Sequence, residues 1–394
     1  MKKKPNHLSA HWKILLSLLF AVAVWCFWYF LYPFLMVARE GMQLFLWTGD
    51  YLLERLALPG GLAQYVGEFL VQFFINPVNG AIIYTLLFVL VQRLTVALVQ
   101  PKKHIVYLLT FLPSVVLWVL ACNPDIPMTL TVAVVIVMAV MAVLPKAKKM
   151  RTVCVLVLTP VVYWLAGPAA ILLALCSLRW SWCQALLVAG CIVVSSLFVP
   201  YPLRQIACGI DYHWESGKAG TLEEMEYDMM TRLQQWSAIT AKYQTHPSES
   251  QAVRNAVCIA RLKLRQMDMY DLEGRLVLSH QAMNSIASAF LMSEVTLQLD
   301  MVAVSQRSAF EAMEAIPNGN KSARALRRLV ETNLVTGQYE VASKYIAILE
   351  RTSFYRGWAQ KMKDLIEDPK QIETQPFYHH LQQAYSDTKD IFFQ

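Results

Sequence analysis

The sequence predicts an all-α protein in two parts, a polytopic helical membrane domain over residues 1–202 and a soluble solenoid of helix pairs over 203–394. Three observations predict it. Charged residues make up only 16% of the 394 residues, against about 25% in a typical soluble domain. Uncharged runs separated by short basic clusters fill the first half. In the second half, apolar residues recur at helical spacing among charged ones.

The first predicted span covers 14–36 and follows a basic N-terminus. Lys2, Lys3, Lys4 and Lys13 precede an uncharged run rich in tryptophan, tyrosine and phenylalanine. A cleaved signal peptide has a shorter apolar core and a small-residue cleavage site, so this run is interpreted as an uncleaved span. Because cytoplasmic loops are enriched in lysine and arginine, the N-terminus is predicted to lie in the cytoplasm.

The stretch that follows mixes charged with apolar residues. It is predicted to form two amphipathic helices in the membrane interface, over 42–58 and 62–74. The break between them is Pro59-Gly60-Gly61.

Six further spans bring the predicted total to about seven, at 81–99, 105–121, 128–144, 152–166, 168–178 and 183–199. Lys102 with Lys103 and the basic loop 146–151 mark cytoplasmic loops. Residues 152–178 leave two alternatives open. A hairpin at Gly167-Pro168 gives seven spans and a periplasmic C-terminal domain, and this interpretation is favoured. One tilted helix gives six spans and a cytoplasmic domain. Either way the predicted location is a bacterial inner membrane.

The soluble part contains an internal repeat. Residues 300–315 and 337–352 align at a fixed offset of 37 residues, and each is preceded by a predicted helix, over 287–299 and 322–335. Gly337, Tyr339, Ala342 and Tyr345 resemble the second helix of a tetratricopeptide repeat. Such helix pairs stack into an α-solenoid because one pair cannot bury its own apolar face. The resemblance implies a protein or peptide partner on the concave face of a tetratricopeptide-like domain.

Composition and motifs exclude several function classes. The net charge of +7 does not indicate a nucleic-acid partner, because several of the lysines lie in short clusters between apolar runs, where topology places them. None of the eight cysteines forms a C-x-x-C pair, so no metal is predicted. We expect no cofactor and assign no catalytic residue. The predicted function is therefore a membrane scaffold or assembly partner rather than an enzyme.

Two longer segments resemble an uncharacterised Bacteroidetes-type family of multi-pass membrane proteins with tetratricopeptide-like C-terminal regions. They are residues 54–74, ERLALPGGLAQYVGEFLVQFF, and residues 325–351, ALRRLVETNLVTGQYEVASKYIAILER. This resemblance covers most of the chain and implies no activity.

An alternative function rests on the first outer loop, which is similar to that of GT-C type membrane glycosyltransferases with lipid-linked sugar donors. Those enzymes carry acidic residues just after the first span. In this chain Glu40, Asp50 and Glu54 occupy that region. The resemblance implies that one carboxylate deprotonates an acceptor or holds a metal ion. The paired acidic motif of the family is absent here.

Overall fold

The computed structural model describes residues 8–145, 147–178, 181–197, 214–317 and 322–388, and every regular element within these ranges is a helix. The chain divides into two compact units. The first contains the described residues up to Met36 and from Gly49 to Leu197. The second contains Val37–Thr48 and the described residues from Trp214 onward. Two separate stretches of chain therefore build the second unit.

The first unit consists of α1 (Leu8–Cys26), the start of α2 (Pro33–Gly41), α3 (Gly49–Leu56), α4 (Gly61–Val71), α5 (Pro77–Val99), α6 (His104–Leu109), α7 (Leu112–Ala121), α8 (Met128–Val143), α9 (Lys148–Ala166), α10 (Ile171–Ser177) and α11 (Trp182–Leu197). A π-helical turn over Phe27–Leu31 extends α1. Short 3₁₀ segments follow α4, at Gln72–Ile75, and α9, at Gly167–Ala170.

Four helical runs are long and apolar enough to cross a membrane. They are His11–Leu31, Pro77–Val99, His104–Ala121 and Lys149–Ser177. Helices α8 and α11 are apolar but have 16 residues each, so each is about 24 Å long at 1.5 Å per residue. The hydrocarbon core of a bilayer is about 30 Å thick. The four long apolar runs are consistent with a membrane location.

Helix α9 gives way to a 3₁₀ segment at Gly167-Pro168, where a hairpin was predicted. Gly167 ends α9 with a positive φ of 67°, a conformation that favours glycine, and Pro168 follows in the 3₁₀ segment. By length and composition Lys149–Ser177 counts as one apolar run of 29 residues, and α11 contacts both α9 and α10. The end of the predicted span 183–199 and the boundary at 202/203 lie outside the described residues.

Helix α5 is the centre of packing in the first unit, because α1, α7 and α8 all contact it. Trp28 stacks on Tyr84 with ring centroids 4.1 Å apart, and both side chains are fully buried. Helix α4 lies close against α8. A Cβ atom on Gly67 would approach the backbone nitrogen of Thr129 to 3.1 Å, so only a residue without a side chain fits there without a shift.

The second unit consists of the end of α2 and of α12 (Leu222–Arg232), α13 (Trp236–Thr245), α14 (Gln251–Lys263), α15 (Met269–Glu273), α16 (Ile286–Leu297), α17 (Val302–Ala315), α18 (Ala323–Val335), α19 (Tyr339–Leu349), α20 (Arg356–Glu367) and α21 (Pro376–Thr388). Consecutive helices from α16 to α20 contact each other in turn, and α21 contacts α18. Helices α18 and α19 begin 37 residues after α16 and α17 respectively, which is the offset of the sequence repeat.

Residues Val37–Thr48, here called the strap, differ most from the sequence prediction. One interfacial helix was predicted over 42–58, but helix α2 ends at Gly41, residues 43–48 form no helix, and α3 begins at Gly49. The reason is that the strap packs with the second unit. Leu44 is only 7% exposed and lies in one hydrophobic cluster with Leu326, Val330 and other residues of α18 to α21.

Hydrogen bonds fix the strap along its length. The Ser322 hydroxyl donates to the carbonyl oxygen of Gly41 and also accepts from the Ala325 amide at the start of α18. The backbone N–H of Trp47 donates to the carbonyl of Arg351 at 3.1 Å. Its indole N–H donates to Ser353 at 2.5 Å. Residues 37–48 are thus part of the second unit rather than of the membrane domain that the sequence assigned to 1–202.

Candidate functional site

The three predicted acidic residues are divided between the two units. Glu40 belongs to the strap and is buried in the second unit. Asp50 and Glu54 belong to the first unit, where both are exposed and the Glu54 side chain is 69% accessible.

Glu40 lies in a polar pocket of the second unit. Its Oε1 accepts a 2.8 Å hydrogen bond from the Tyr355 hydroxyl. Burial raises the pKa of Glu40 to about 7, although the Tyr355 hydrogen bond and the charges of Arg232, Arg324 and Arg327 oppose the rise. Near neutral pH this carboxyl is therefore poised between its neutral and its charged form.

Three arginines form a stripe on α18. Arg324, Arg327 and Arg328 are spaced i, i+3, i+4, which puts them on one face of a helix. The planar guanidinium of Arg324 lies over the ring of Phe290 with its carbon 4.5 Å from the ring centroid, and Arg327 lies over the ring of Trp358 at 5.0 Å. These aromatic contacts hold two of the three cations in fixed positions.

Three carboxylates pair with this stripe. Asp228 on α12 makes two bonds with Arg324, at 2.6 and 2.7 Å. Glu294 on α16 accepts from Arg328 at 2.7 Å, and Glu331 accepts from Arg327 at 3.1 Å. Burial alone would raise the pKa of Glu294, but the charges of Arg328 and Arg324 outweigh it and hold that pKa below its usual range.

A cleft of about 380 Å³ opens over these side chains. Its lining combines four arginines with two glutamates, two aromatic rings and three further residues; it consists of Arg232, Gln234, Glu294, Leu297, Gln298, Arg324, Arg327, Arg328, Glu331, Phe377 and Tyr378. All of them lie in the second unit. We call this site the arginine cleft.

Arg232, the last residue of α12, differs from the other three arginines. Within the described part of the chain it makes no hydrogen bond or ion pair, and it is exposed. The positive charge of Arg324 is the main reason that the pKa of Arg232 is lowered, and burial contributes after it. The charges of Asp228 and Glu294 act in the opposite direction, without forming an ion pair with Arg232.

A second buried polar cluster lies in the first unit. Glu68 on α4 accepts from Arg55 Nε at 3.0 Å, from the Tyr51 hydroxyl at 2.5 Å and from Gln64 at 2.8 Å. The guanidinium carbon of Arg55 is 4.6 Å from the centroid of the Tyr51 ring. Both oxygens of the carboxylate are occupied by these donors, so the cluster holds α3 against α4.

Neither cluster was predicted from the sequence, although the signal for the first was present. The run Arg324 to Arg328 has three cations at helical spacing beside the apolar Leu326 and Leu329. The basic face of this helix therefore lies next to the apolar face that packs against the core. Among the described residues no group of three or more histidine, cysteine or acidic side chains is arranged to hold a metal ion. The chemistry that the arginine cleft offers is the binding of an anion.

Comparisons with known proteins give one match. A model described as a family of unknown function (DUF6057) matches residues 10–215 and 185–394. No curated protein matches the chain, and no solved structure matches it. The expectation that the relatives form an uncharacterised family is confirmed.

Proposed function

The chain belongs to this family of unknown function, and from its structure we propose that it is a multi-pass membrane protein that holds a helical binding domain at the outer face of the membrane. The domain is the second unit, and it acts as a scaffold or assembly partner. The observation that supports this proposal best is the strap. The strap follows the first apolar helical run, His11–Leu31, by only a few residues and packs into the same compact unit as residues from Trp214 onward.

Because of the strap, the side of the membrane on which the second unit lies follows from the orientation of the first predicted span alone. If His11–Leu31 crosses the membrane and the N-terminus is cytoplasmic, as Lys2 to Lys4 favour, residues 37–48 lie outside. Residues from Trp214 onward must lie on the same side, because they share one hydrophobic cluster with Leu44. An outer second unit requires an even number of crossings between the strap and Trp214. The seven-span interpretation has six crossings there and meets this requirement, whereas the six-span interpretation has five and does not.

The scaffold role is supported by the repeated helices. Helices α16 to α19 form two pairs at the 37-residue offset, an arrangement that we interpret as tetratricopeptide-like. Stacked helix pairs provide an extended surface for protein or peptide partners. Phe310 on α17 is 45% exposed, and a large apolar side chain on such a surface is available to a partner.

Two reporters fused after Gln394 of the full chain test the side. Alkaline phosphatase is active only outside the cytoplasm, and a cytoplasmic fluorescent protein matures only inside it. We expect active phosphatase and no fluorescence. The same reporters fused after Lys149, in the predicted cytoplasmic loop, are the matched control and should give the opposite result. A fluorescent fusion after Gln394 would refute the outer location.

Partner binding is tested in the full chain, because a fragment that starts at residue 203 lacks the strap. A photo-crosslinking amino acid at position 310 should give a discrete crosslinked product in cells, whereas the same amino acid at Leu233, also exposed but on α12's C-terminal end, should not. The same pattern of products from both positions would contradict a specific surface on the repeats.

A further inference from the structure

We propose that the arginine cleft binds a phosphoryl group, presented by a phosphorylated small molecule or by a lipid headgroup. This inference goes beyond the scaffold proposal and does not depend on it, because the cleft is formed within the second unit whichever side of the membrane that unit occupies. It rests on the charge balance, the directions of the arginines and the aromatic wall of the cleft.

The charge balance favours an anion. Of the four lining arginines, three are paired with Asp228, Glu294 and Glu331. Arg232 has no ionic or hydrogen-bonded partner among the described residues. The Glu40 carboxyl adds negative charge near Arg232, Arg324 and Arg327 only when it is ionised. Arg232 is therefore the lining arginine that a further anion can pair with.

The directions of the arginines favour a phosphoryl group over a carboxylate. Arg232 comes from the C-terminal end of α12, and the stripe of arginines comes from the first half of α18. A planar carboxylate accepts one guanidinium fork in its plane, whereas a tetrahedral phosphoryl group presents three oxygens to donors from several directions. Cations that converge from two helices therefore suit a phosphoryl group better.

The aromatic residues in the lining of the cleft indicate the chemistry of the rest of the ligand. Phe377 and Tyr378 lie in the first turn of α21 and line the cleft together with the charged residues. The Phe377 ring is 50% exposed, so a ligand that covers it gains binding free energy from the apolar surface removed from water. A volume of about 380 Å³ is in the range of small-molecule sites, about 300 to 1,000 Å³. The ligand class is thus a phosphate monoester with an apolar or ring-containing substituent.

The test uses the full chain purified in an uncharged maltoside detergent. Inorganic phosphate and phenyl phosphate are titrated by calorimetry, and phosphatidic acid is added in native mass spectrometry, with benzoate as the carboxylate comparison. We expect saturable binding of phenyl phosphate that is at least tenfold tighter than binding of benzoate. If phosphatidic acid also binds, the natural source includes lipid headgroups; if only the free phosphates bind, it is a small molecule.

Two variants and one control locate the site. Arg232→Gln and Arg327→Gln should each weaken phenyl phosphate binding about tenfold, the effect expected for one charge-assisted hydrogen bond. Arg307→Gln removes an arginine of the same unit that pairs with Glu311 outside the cleft, and binding should be unchanged. Arg232 and Arg327 are both exposed, and unchanged thermal unfolding without ligand verifies that the variants fold.

Three results would overturn the proposal. The first is no saturable binding of any phosphate probe to the wild-type chain. The second is binding of benzoate as tight as that of phenyl phosphate, which would assign the cleft to carboxylates such as a peptide C-terminus. The third is an equal loss in Arg307→Gln, which would mean that the effect is one of net charge.

Discussion

Replacing Leu44 by alanine is the sharpest perturbation of the strap. The leucine is 7% exposed and belongs to the hydrophobic cluster of α18 to α21, although it is more than 250 residues away from them in sequence. The substitution removes three carbons from the core. At about 0.8 kcal/mol per buried methylene the loss is roughly 2.5 kcal/mol, and the cavity left behind brings it into the 2–5 kcal/mol range of buried leucine truncations.

Native-state hydrogen exchange of the full chain measures this loss. The amides of α18 are the reporters, because Leu326 and Val330 share the cluster with Leu44. If the strap belongs to the second unit, a loss of about 2.5 kcal/mol should accelerate their exchange roughly 60-fold. The amides of α5, in the first unit, provide an internal reference and should exchange at the wild-type rate.

Leu233→Ala is the matched control, since Leu233 lies in the second unit but is 55% exposed. Its expected effect is below about 0.5 kcal/mol. An unchanged α18 exchange rate in Leu44→Ala would refute the packing of the strap against α18. It would also remove the argument that both parts of the second unit lie on one side of the membrane.

Three further predictions address the polar network and the glycines. The pKa of Glu40 is about 7 in the folded chain, against an ordinary value of 4.5. Protonation of Glu40 therefore stabilises the second unit at low pH, and this stability is lost as the pH rises from about 4.5 through 7. The thermal unfolding midpoint should fall over this pH range in the wild type and fall less in Glu40→Gln. Asp228→Asn leaves Arg324, which is 13% exposed, without the carboxylate to which it makes two bonds. The free energy of unfolding should fall by about 3 kcal/mol in the same assay. A fall of less than about 1 kcal/mol would contradict the pairing. A Cβ on Gly61 would overlap a backbone carbonyl of α3, whereas a Cβ on Gly190 meets no atom within 4 Å. On gel filtration the full-length Gly61→Ala protein should therefore give no monodisperse peak, and the Gly190→Ala protein should give one.

Local signals allowed much of the fold to be predicted from the sequence. The capping box at Thr221 and Glu224 is present with both of its hydrogen bonds. Asn76 accepts from the Val78 amide and Pro77 occupies the first turn of α5, so the helix begins a few residues before the predicted span 81–99. Apolar length predicted three of the four long helical runs, whereas the fourth, Lys149–Ser177, falls where two short spans were favoured. Each of these signals is contained within a few neighbouring residues, which is why one sequence sufficed.

The arginine cleft could be predicted only in part, because its members come from four helices. The stripe on α18 is visible as i, i+3, i+4 spacing. Its partners Asp228 and Glu294 lie 96 and 34 residues earlier in the chain, and nothing near them indicates that they face arginine. A charge on a helix normally faces water. From the sequence alone these carboxylates would be expected on a solvated helix face, whereas the second unit buries them in ion pairs.

The strap was misassigned for a different reason, which concerns what an amphipathic pattern means. Residues 42–58 place Asp50, Glu54 and Arg55 among apolar side chains next to a predicted membrane span, and a membrane interface and a protein groove both accept such a segment. The two environments differ in their demands on the backbone. An interfacial segment must satisfy its own N–H and C=O groups as a helix, whereas Trp47 and Gln43 exchange backbone hydrogen bonds with Arg351 and Ala323. Partners on the second unit make the helix unnecessary there, and the helix resumes only at Gly49, where the first unit begins again.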